Sequence, residues 1–456
     1  MNLDAVHPYY TKYANWWTEM KHAIEGQSAI INAGTTYLPQ PGGMAFLSDP
    51  TAAYTAYQTR ATYPEIVAPT IRGLSGVVHS QPMKIELPPV LEPLLEKATV
   101  DGLTLESLGR RLTRSVLSYG RVGLAVTINA EGRPIFADYS AMSIINWTDL
   151  EDVVVLKEDG YEMTDNLDWL MVERRLLIQR NEQGIIATKF IKRGGWLAED
   201  PVVYSKFGGG AVDFLPFVFI DTNDLTPEPD EVPLLPLARL AAKMFRQDAN
   251  YQQTLYLSAN PQHVIVGMSP DDESRPKATG GGVIWYLPDQ QMRAEILEFT
   301  GQSAAAQRQA IQDTLAAAIQ AGARLFASQD EQQESGEARK IKYAAQTATL
   351  TGIAQNVAAG LEKALRMAAI IAGANPDQVT VGIDTDFIDN TLAAQEITAI
   401  IQAAASGIIS EQTGYEQMQA GGRANPDRTW EEEKELISQQ GPATGMIGRD
   451  GGNDGV

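Results

Sequence analysis

Apolar residues at Tyr9, Tyr13, Trp16, Trp17 and Met20 recur every three to four positions. That spacing predicts a helix with one apolar stripe near the start of the chain. The "YLPQPGG" at 37–43 predicts a turn. Residues 51–82 read as helices broken by Pro64 and Pro69, with a turn near Gly73 and Gly76. Residues 105–128 read as a helix that stops at Gly120 and feeds a strand over 123–128.

The period changes between about 130 and 222. Short β-branched or aromatic runs such as "VVVLKED", "WLMVERRLLIQRN" and "LPFVFIDTN" alternate with Gly, Asn and Asp, which predicts antiparallel sheet. "NEQG" at 181–184 predicts a hairpin turn. From 232 the pattern is helical again, with Leu237, Leu240, Met244 and Tyr251 on one side and Asn260-Pro261 as the stop. Three short β runs, "HVIVGM", "GGGVIWYLPD" and "AEILEF", follow, with an exposed loop predicted at 270–282.

Two long alanine-rich helices come next. In the first, 303–326, Ile311, Leu315, Ile319, Gly322 and Phe326 repeat at helical spacing. The second, 335–373, carries Ile341, Ala345, Ala348, Ile353, Val357, Leu361, Leu365 and Ala369 as its stripe, with possible bends at Gly352 and Gly360. At a rise of about 1.5 Å per residue they span roughly 36 and 57 Å. Between them lies "QDEQQES", a polar and acidic break. Arg324 precedes the break, and Ser335 with Glu337 follows it, so charges complement both helix ends. A strand in "DQVTVGIDTDF" and three short helices, 391–406, 410–420 and 426–440, complete the pattern. Their punctuation is Gly407, Ser410 and Asn425-Pro426. The Gly-rich stretch 441–456 reads as a disordered tail. No short-period internal repeat is present.

Composition narrows the class. Of 456 residues, 44% are hydrophobic and 20% charged, the balance of a folded chain with a sizeable core. No apolar run is long enough to span a membrane, and the start shows no signal-peptide pattern. With no cysteine, disulfides, thiolate catalysis and cysteine zinc sites are excluded. The net charge of −21 argues against a protein that grips DNA by neutralising phosphates. It leaves room for one that meets nucleic acid without holding it.

Enzymatic motifs are absent. There is no P-loop, and the "GGG" runs at 208–210 and 280–282 read as turns. "GLSGV" at 73–77 lacks the second glycine of a nucleophile elbow. His7, His22, His79 and His263 show no metal-ligand spacing. The acidic clusters "DTDFID", "PDDE" and "EEEKE" read as a strand end and solvated segments. The expectation is a non-enzyme without cofactor or metal.

The order of these elements resembles the portal proteins of tailed bacteriophages, within the portal-like family labelled domain of unknown function 4055. The stretches that carry it are "YLPQPGG", "YQTRATYPEIVAPTIRGLSGVV" with "SQPMKIELP", "GLTLESLGRRLTRSVLSYGRVGLAV" and "SGEARKIKYAAQTATLTGIAQNVAAGLEKAL". The resemblance spans about residues 8–440. It implies an α+β portal fold: a wing over 1–231, a first stem helix over 232–260, a clip over 261–300 and a second stem helix over 301–326. A tunnel loop would follow at 327–335, then a long wing helix and strand over 336–390, and crown helices over 391–440. Unlike larger portals, this chain has a short crown and no long C-terminal barrel extension.

By the same resemblance, the chain forms a homo-oligomeric ring of about twelve subunits at one capsid vertex. The ring would be assembled in the host cytoplasm and kept in the virion. It would pass double-stranded DNA during packaging and ejection. It would dock the terminase large subunit and a head–tail adaptor, and meet the major capsid and scaffold proteins, with no membrane involved. Gln329, Asp330, Glu331, Gln332, Gln333, Glu334 and Ser335 would form the tunnel loop facing DNA. Arg239, Lys243, Arg246, Arg308 and Arg324 lie on the stem, where they pair with other side chains or touch phosphate. Trp285, Tyr286 and Arg293 in the clip either bind a partner or pack its sheet. Two other classes stand beside this one: a minor head or assembly protein without a channel, and a metal-dependent nuclease using Asp384 and Asp386.

Overall fold

The computed structural model describes residues 2–129, 131–150, 152–182, 184–258, 262–266, 291, 293–297, 302–319, 321, 336–385, 400–403, 406, 409–420, 424–425 and 428–439. The architecture is mixed helix and sheet, and the chain divides into two compact units, Met1–Thr385 and Asp386–Val456.

The first unit opens with α1 (Pro8–Glu25) and α2 (Gln27–Asn32). The predicted stripe is present on α1, where Tyr13, Trp17, Met20 and Ala23 are buried, and Trp17 Nε1 donates to Tyr119 O at 3.0 Å. α3 (Pro50–Arg60) starts where Asp49 Oδ1 accepts from Ala52 N, with Pro50 in the first helical position. α4 spans Val67–Val78 and corrects the reading of 51–82: Pro69 does not break it, and Gly73 and Gly76 are not a turn. Pro69 falls in the first turn, where its missing N–H has no intrahelical partner to lose. Burial of Ile71, Leu74 and Val78 against neighbouring helices holds the glycines helical.

β1 (Lys84–Glu86) leads to α5 (Leu105–Tyr119). Thr104 caps α5, and Gly120 ends it in a left-handed conformation at φ 74°. A Cβ on Gly120 would lie 2.6 Å from Glu231 O, so both φ and space require glycine. The chain then enters β2 (Arg121–Ile128), two residues earlier than the sequence pattern indicated, and β3 (Pro134–Ser140). With β12 (Phe217–Asp221) these make an antiparallel sheet ordered β12-β2-β3. Its centre is tight, since a Cβ on Gly123 would lie 2.2 Å from Phe217 Cζ.

A second antiparallel sheet uses β4 (Ile144–Trp147), β5 (Val153–Lys157), β8 (Arg174–Asn181), β9 (Gly184–Lys192), β10 (Trp196–Ala198) and β11 (Val202–Val203). The order is β10-β9-β8-β5-β4, with β11 also on β9. The predicted "NEQG" hairpin is present, with Asn181 opposite Gly184. β6 (Gly160–Met163) and β7 (Trp169–Val172) form a separate two-stranded ribbon.

After α6 (Leu235–Ser258) come β13 (Gln262–Val266), β14 (Arg293–Leu297) and α7 (Gln302–Ala318). The middle of the three expected β runs, 280–289, lies outside the described residues. α8 runs unbroken over Gly336–Ile371. A Cβ on Gly360 would lie 2.5 Å from Ile220 Cγ1, so the glycine lets the helix seat on β12. α8 ends at Gly373, φ 74°, where Ala374 N donates to Ala369 O and Gly373 N to Ile370 O. The strand expected over 377–387 is shorter, β15 (Thr380–Gly382), and pairs with β1.

In the second unit, α9 (Glu411–Ala420) is capped by Ser410 Oγ, which accepts from Thr413 N at 3.0 Å. α10 (Trp430–Gln439) starts later than the expected 426. Its cap is Thr429, not Asn425-Pro426. Glu432 N donates to Thr429 Oγ1, and Thr429 N donates to Glu432 Oε2, a reciprocal capping box. Of the helix expected over 391–406, only 400–403 and 406 are described.

Candidate functional site

The polar pattern and the resemblance both point to the segment from α6 to α7. The first half of α6 is rooted in an apolar cluster. Ala241, Ala242, Phe245 and Ala249 pack with Ile30, Tyr37, Leu38, Met44, Tyr57, Ala61 and Tyr63 from the N-terminal segments. Polar contacts extend the anchor. Tyr57 OH donates to Asn250 Oδ1 at 2.7 Å, Thr62 N to Asp248 Oδ2 at 2.7 Å, and Arg60 stacks over Tyr256 at 4.2 Å. The small side chains of α6 let its backbone approach the aromatic side of the cluster.

The second half of α6 leaves this core. Leu255, Tyr256 and Leu257 are exposed. There α7 lies against α6, with Gln247 Nε2 donating to Ala310 O at 3.3 Å and Gln307 Nε2 to Thr254 Oγ1 at 3.2 Å. β13 and β14 continue the pairing, with Gln262 opposite Leu297 and Val266 opposite Arg293. Helix pair and strand pair therefore form one long hairpin, fixed at its root. α7 buries a single stripe that includes Thr314 and Ala318 and leaves most of its other face, including Leu315, open.

The bases expected along α6 and α7 have separate fates. Arg239 is half exposed and pairs with Glu19 of α1, Nε to Oε2 at 2.9 Å, which raises the guanidinium pKa. Its guanidinium also sits 5.9 Å over Trp16. Lys243 is exposed one turn along α6. Arg246 turns inward and donates to Tyr37 O at 3.4 Å. Arg308 is exposed on α7, and Arg293 is exposed on β14. Arg324, Trp285, Tyr286 and the loop 329–335 lie outside the described residues. Asp384 is exposed, and Asp386 also lies outside the described residues.

Sequence reading missed the polar knot at the base of this hairpin. Arg121 and Asp221 form a bidentate pair, both fully buried. Arg121 Nη2 also donates to Thr226 O and Pro227 O, which fixes the loop that leads from β12 to α6. The guanidinium packs 5.2 Å from the Trp147 ring and 5.0 Å from Phe219. Burial pushes the Asp221 carboxyl up, against the opposing pull of Arg121. Asn356 of α8 donates to Thr222 O at 2.9 Å, tying the long helix to the same loop. Nothing in the sequence links position 121 to position 221, which are a hundred residues apart.

Asp221, Asp224 and Asp230 converge closely enough to hold a cation. Each is already occupied: Asp221 by Arg121, Asp224 by Thr226 and Asp230 by Asn223 N. These hydrogen bonds tie the trio into the loop that follows β12. Among the described residues no helix is long and apolar enough to cross a membrane.

Comparison with known proteins adds one family. Residues 233–370, from just before α6 to the end of α8, match the model described as Domain of unknown function (DUF4055). No curated protein matches the sequence. Solved structures bear a weak likeness, among them the following three. A neck of native GTA particle computed with C12 symmetry is 14% identical, covering 76% of this chain and 88% of that one, at TM-score 0.39. A virion of native gene transfer agent particle is 14% identical, covering 88% and 99%, at TM-score 0.42. A neck of empty GTA particle computed with C6 symmetry is 12% identical, covering 79% and 90%, at TM-score 0.42. Likenesses this weak carry no argument about activity.

Proposed function

We propose that the chain is the subunit of a portal ring in a tailed-phage particle, the channel for double-stranded DNA and the platform for terminase and head–tail connector. One observation carries the reading: the hairpin of α6, β13, β14 and α7, rooted in the α/β body through the Ala241–Ala249 face and followed in the chain by the 36-residue α8. A stem, a clip at its far end and a long wing helix in that order are what the portal resemblance implies. The DUF4055 match over 233–370 covers the same stretch. This is a fold-level warrant, supported by order and length of elements.

The electrostatics suit a sleeve. At −21 per chain, a closed ring carries a strong negative field. DNA inside it neutralises few phosphates on the wall and releases few counterions, so it slides rather than sticks. Motion would be driven by a separate motor, consistent with a chain that carries no P-loop motif.

The test is particle mass and shape of the purified full chain, by light scattering and negative-stain imaging. About twelve chains of 49.6 kDa give a ring of roughly 0.6 MDa. A chain that stays monomeric at all concentrations, and also with capsid and scaffold proteins supplied, would overturn the reading.

A further inference from the structure

The β6–β7 ribbon has an apolar face that is exposed among the described residues. Tyr161 pairs with Met171 and Met163 with Trp169, so these four side chains share one face of the ribbon. They are 67%, 57%, 56% and 67% exposed, respectively. Leu167 at the turn is 73% exposed and has φ 65°. The left-handed region costs a branched residue strain, and Asn or Gly would relieve it. The turn instead spends that strain on presenting a leucine. A two-stranded ribbon alone is marginal in water, and this one is tied down at its base, by Glu162 with Arg174 and Arg193, Asp159 with Arg174 N and Arg175, and Glu158 N to Arg174 O. Asp165 and Asp168 flank the tip and have no ion-pair partner among the described residues.

The same chain carries a complementary surface. Along α8, a groove of about 620 Å³ is floored by Phe214, Ala359, Met367, Ile370 and Ile383. Lys363 and Arg366 stand on its rim, with Glu362 paired to Arg366 at 2.7 Å. Its size accommodates a few large side chains. The apolar floor matches the apolar ribbon, and the rim, with two bases against one acid, carries a net positive charge toward the acidic tip.

We infer that the ribbon tip of one copy docks in the α8 groove of the next copy. This inference rests on the ring reading above. A closed ring needs a heterologous contact, in which one surface meets a different one, and ribbon and groove are such a pair. Trp169 and Leu167 enter the groove as anchors. Asp165 and Asp168 approach the rim of Lys363 and Arg366, which orients the ribbon and disfavours the reverse approach.

The chain has no cysteine, so the contact can be mapped by cross-linking the full-length protein. Leu167→Cys combined with Ala359→Cys, and separately Trp169→Cys combined with Gln355→Cys, are oxidised and run on a denaturing gel without reductant. The expected result is a ladder of covalent multimers from at least one pair, with nothing beyond dimer from any single variant. Leu167→Ser with Trp169→Ser should also raise the concentration needed for assembly at least tenfold, while the monomer keeps its circular dichroism spectrum. Rings without a ladder from either pair would overturn the docking and leave the ring reading standing. A faster-migrating monomer, reporting a disulfide within one chain, would also overturn it. No rings and no ladder would sink both.

Discussion

Arg121 Nε lies 2.8 Å from Asp221 Oδ1, and Arg121 Nη2 lies 2.5 Å from Asp221 Oδ2, with both side chains buried between β2 and β12. The two residues are also direct register partners in the sheet. The pair therefore locks side chains and backbone at one point, and that point starts the loop leading to α6.

Arg121→Met should destabilise the first unit by about 3–5 kcal/mol, because it leaves the Asp221 carboxylate buried without its partner. The double variant Arg121→Met with Asp221→Leu should cost much less, since no charge is stranded. Equilibrium denaturant unfolding of the single and double variants checks this. A double variant as unstable as the single would show that the pair's value lies in the contacts to Thr226 and Pro227 instead.

Gly360 and Gly352 should respond oppositely to alanine. At Gly360 the new Cβ meets the buried Ile220 side chain at 2.5 Å. Overpacking there costs about 1–3 kcal/mol, more than the up to ~1 kcal/mol gained in helix propensity. At Gly352 nothing lies within 4 Å, so only the gain remains. Thermal melting should fall for Gly360→Ala and rise for Gly352→Ala.

His79 supplies a pH dependence. It is buried, its Nε2 lies 2.8 Å from Thr113 Oγ1, and burial lowers its pKa from 6.5 to about 4, with Arg110 adding to the effect. The unfolded chain then binds more protons than the folded one between those values. The stability from a neutral His79 is complete above 6.5 and drains away as pH falls toward about 4. Between about pH 7 and about pH 5 the loss is on the order of 1–2 kcal/mol, allowing for partial solvent screening. His79→Gln should flatten that part of the melting-temperature profile, and an unchanged slope would place the proton elsewhere.

The stem bases should separate in function. Arg239 is neutralised by Glu19 in an exposed pair worth about 0.2–1 kcal/mol. Lys243 is exposed one turn away. On the channel reading, Lys243→Ala should change DNA retention in filled particles more than Arg239→Ala, with ring assembly intact for both. No effect from either variant would mean that neither base meets phosphate.

The acidic break is the sharpest test of that reading. Asp330, Glu331 and Glu334 lie outside the described residues, and their role rests on sequence and resemblance. Replacing all three with lysine should slow packaging or block ejection while rings still form, because a repelling wall becomes a binding one. Normal packaging by this variant would show that the loop faces elsewhere.

Much of the fold was legible from local pattern. The α1 stripe, the Gly120 stop, the Asn181–Gly184 hairpin, the extent of α6 and the Ser410 cap are all set by neighbours within a few residues. α4 was misread because breaker residues carry a local cost that tertiary burial of Ile71, Leu74 and Val78 overrides. The candidate site was legible as a list of bases. Their differing fates were not, because Glu19 and Tyr37 reach Arg239 and Arg246 from distant segments.

By itself, then, the sequence determined the order and type of most helices and strands, the acidic charge, and the absence of cysteine and P-loop motifs. Those properties follow from short-range periodicity and from composition. Only the tertiary structure decided that Arg121 meets Asp221, that Gly360 lies against Ile220, and that an exposed ribbon and an open groove occur on the same chain. Those relationships join residues far apart in sequence, and it is packing, not local preference, that selects them.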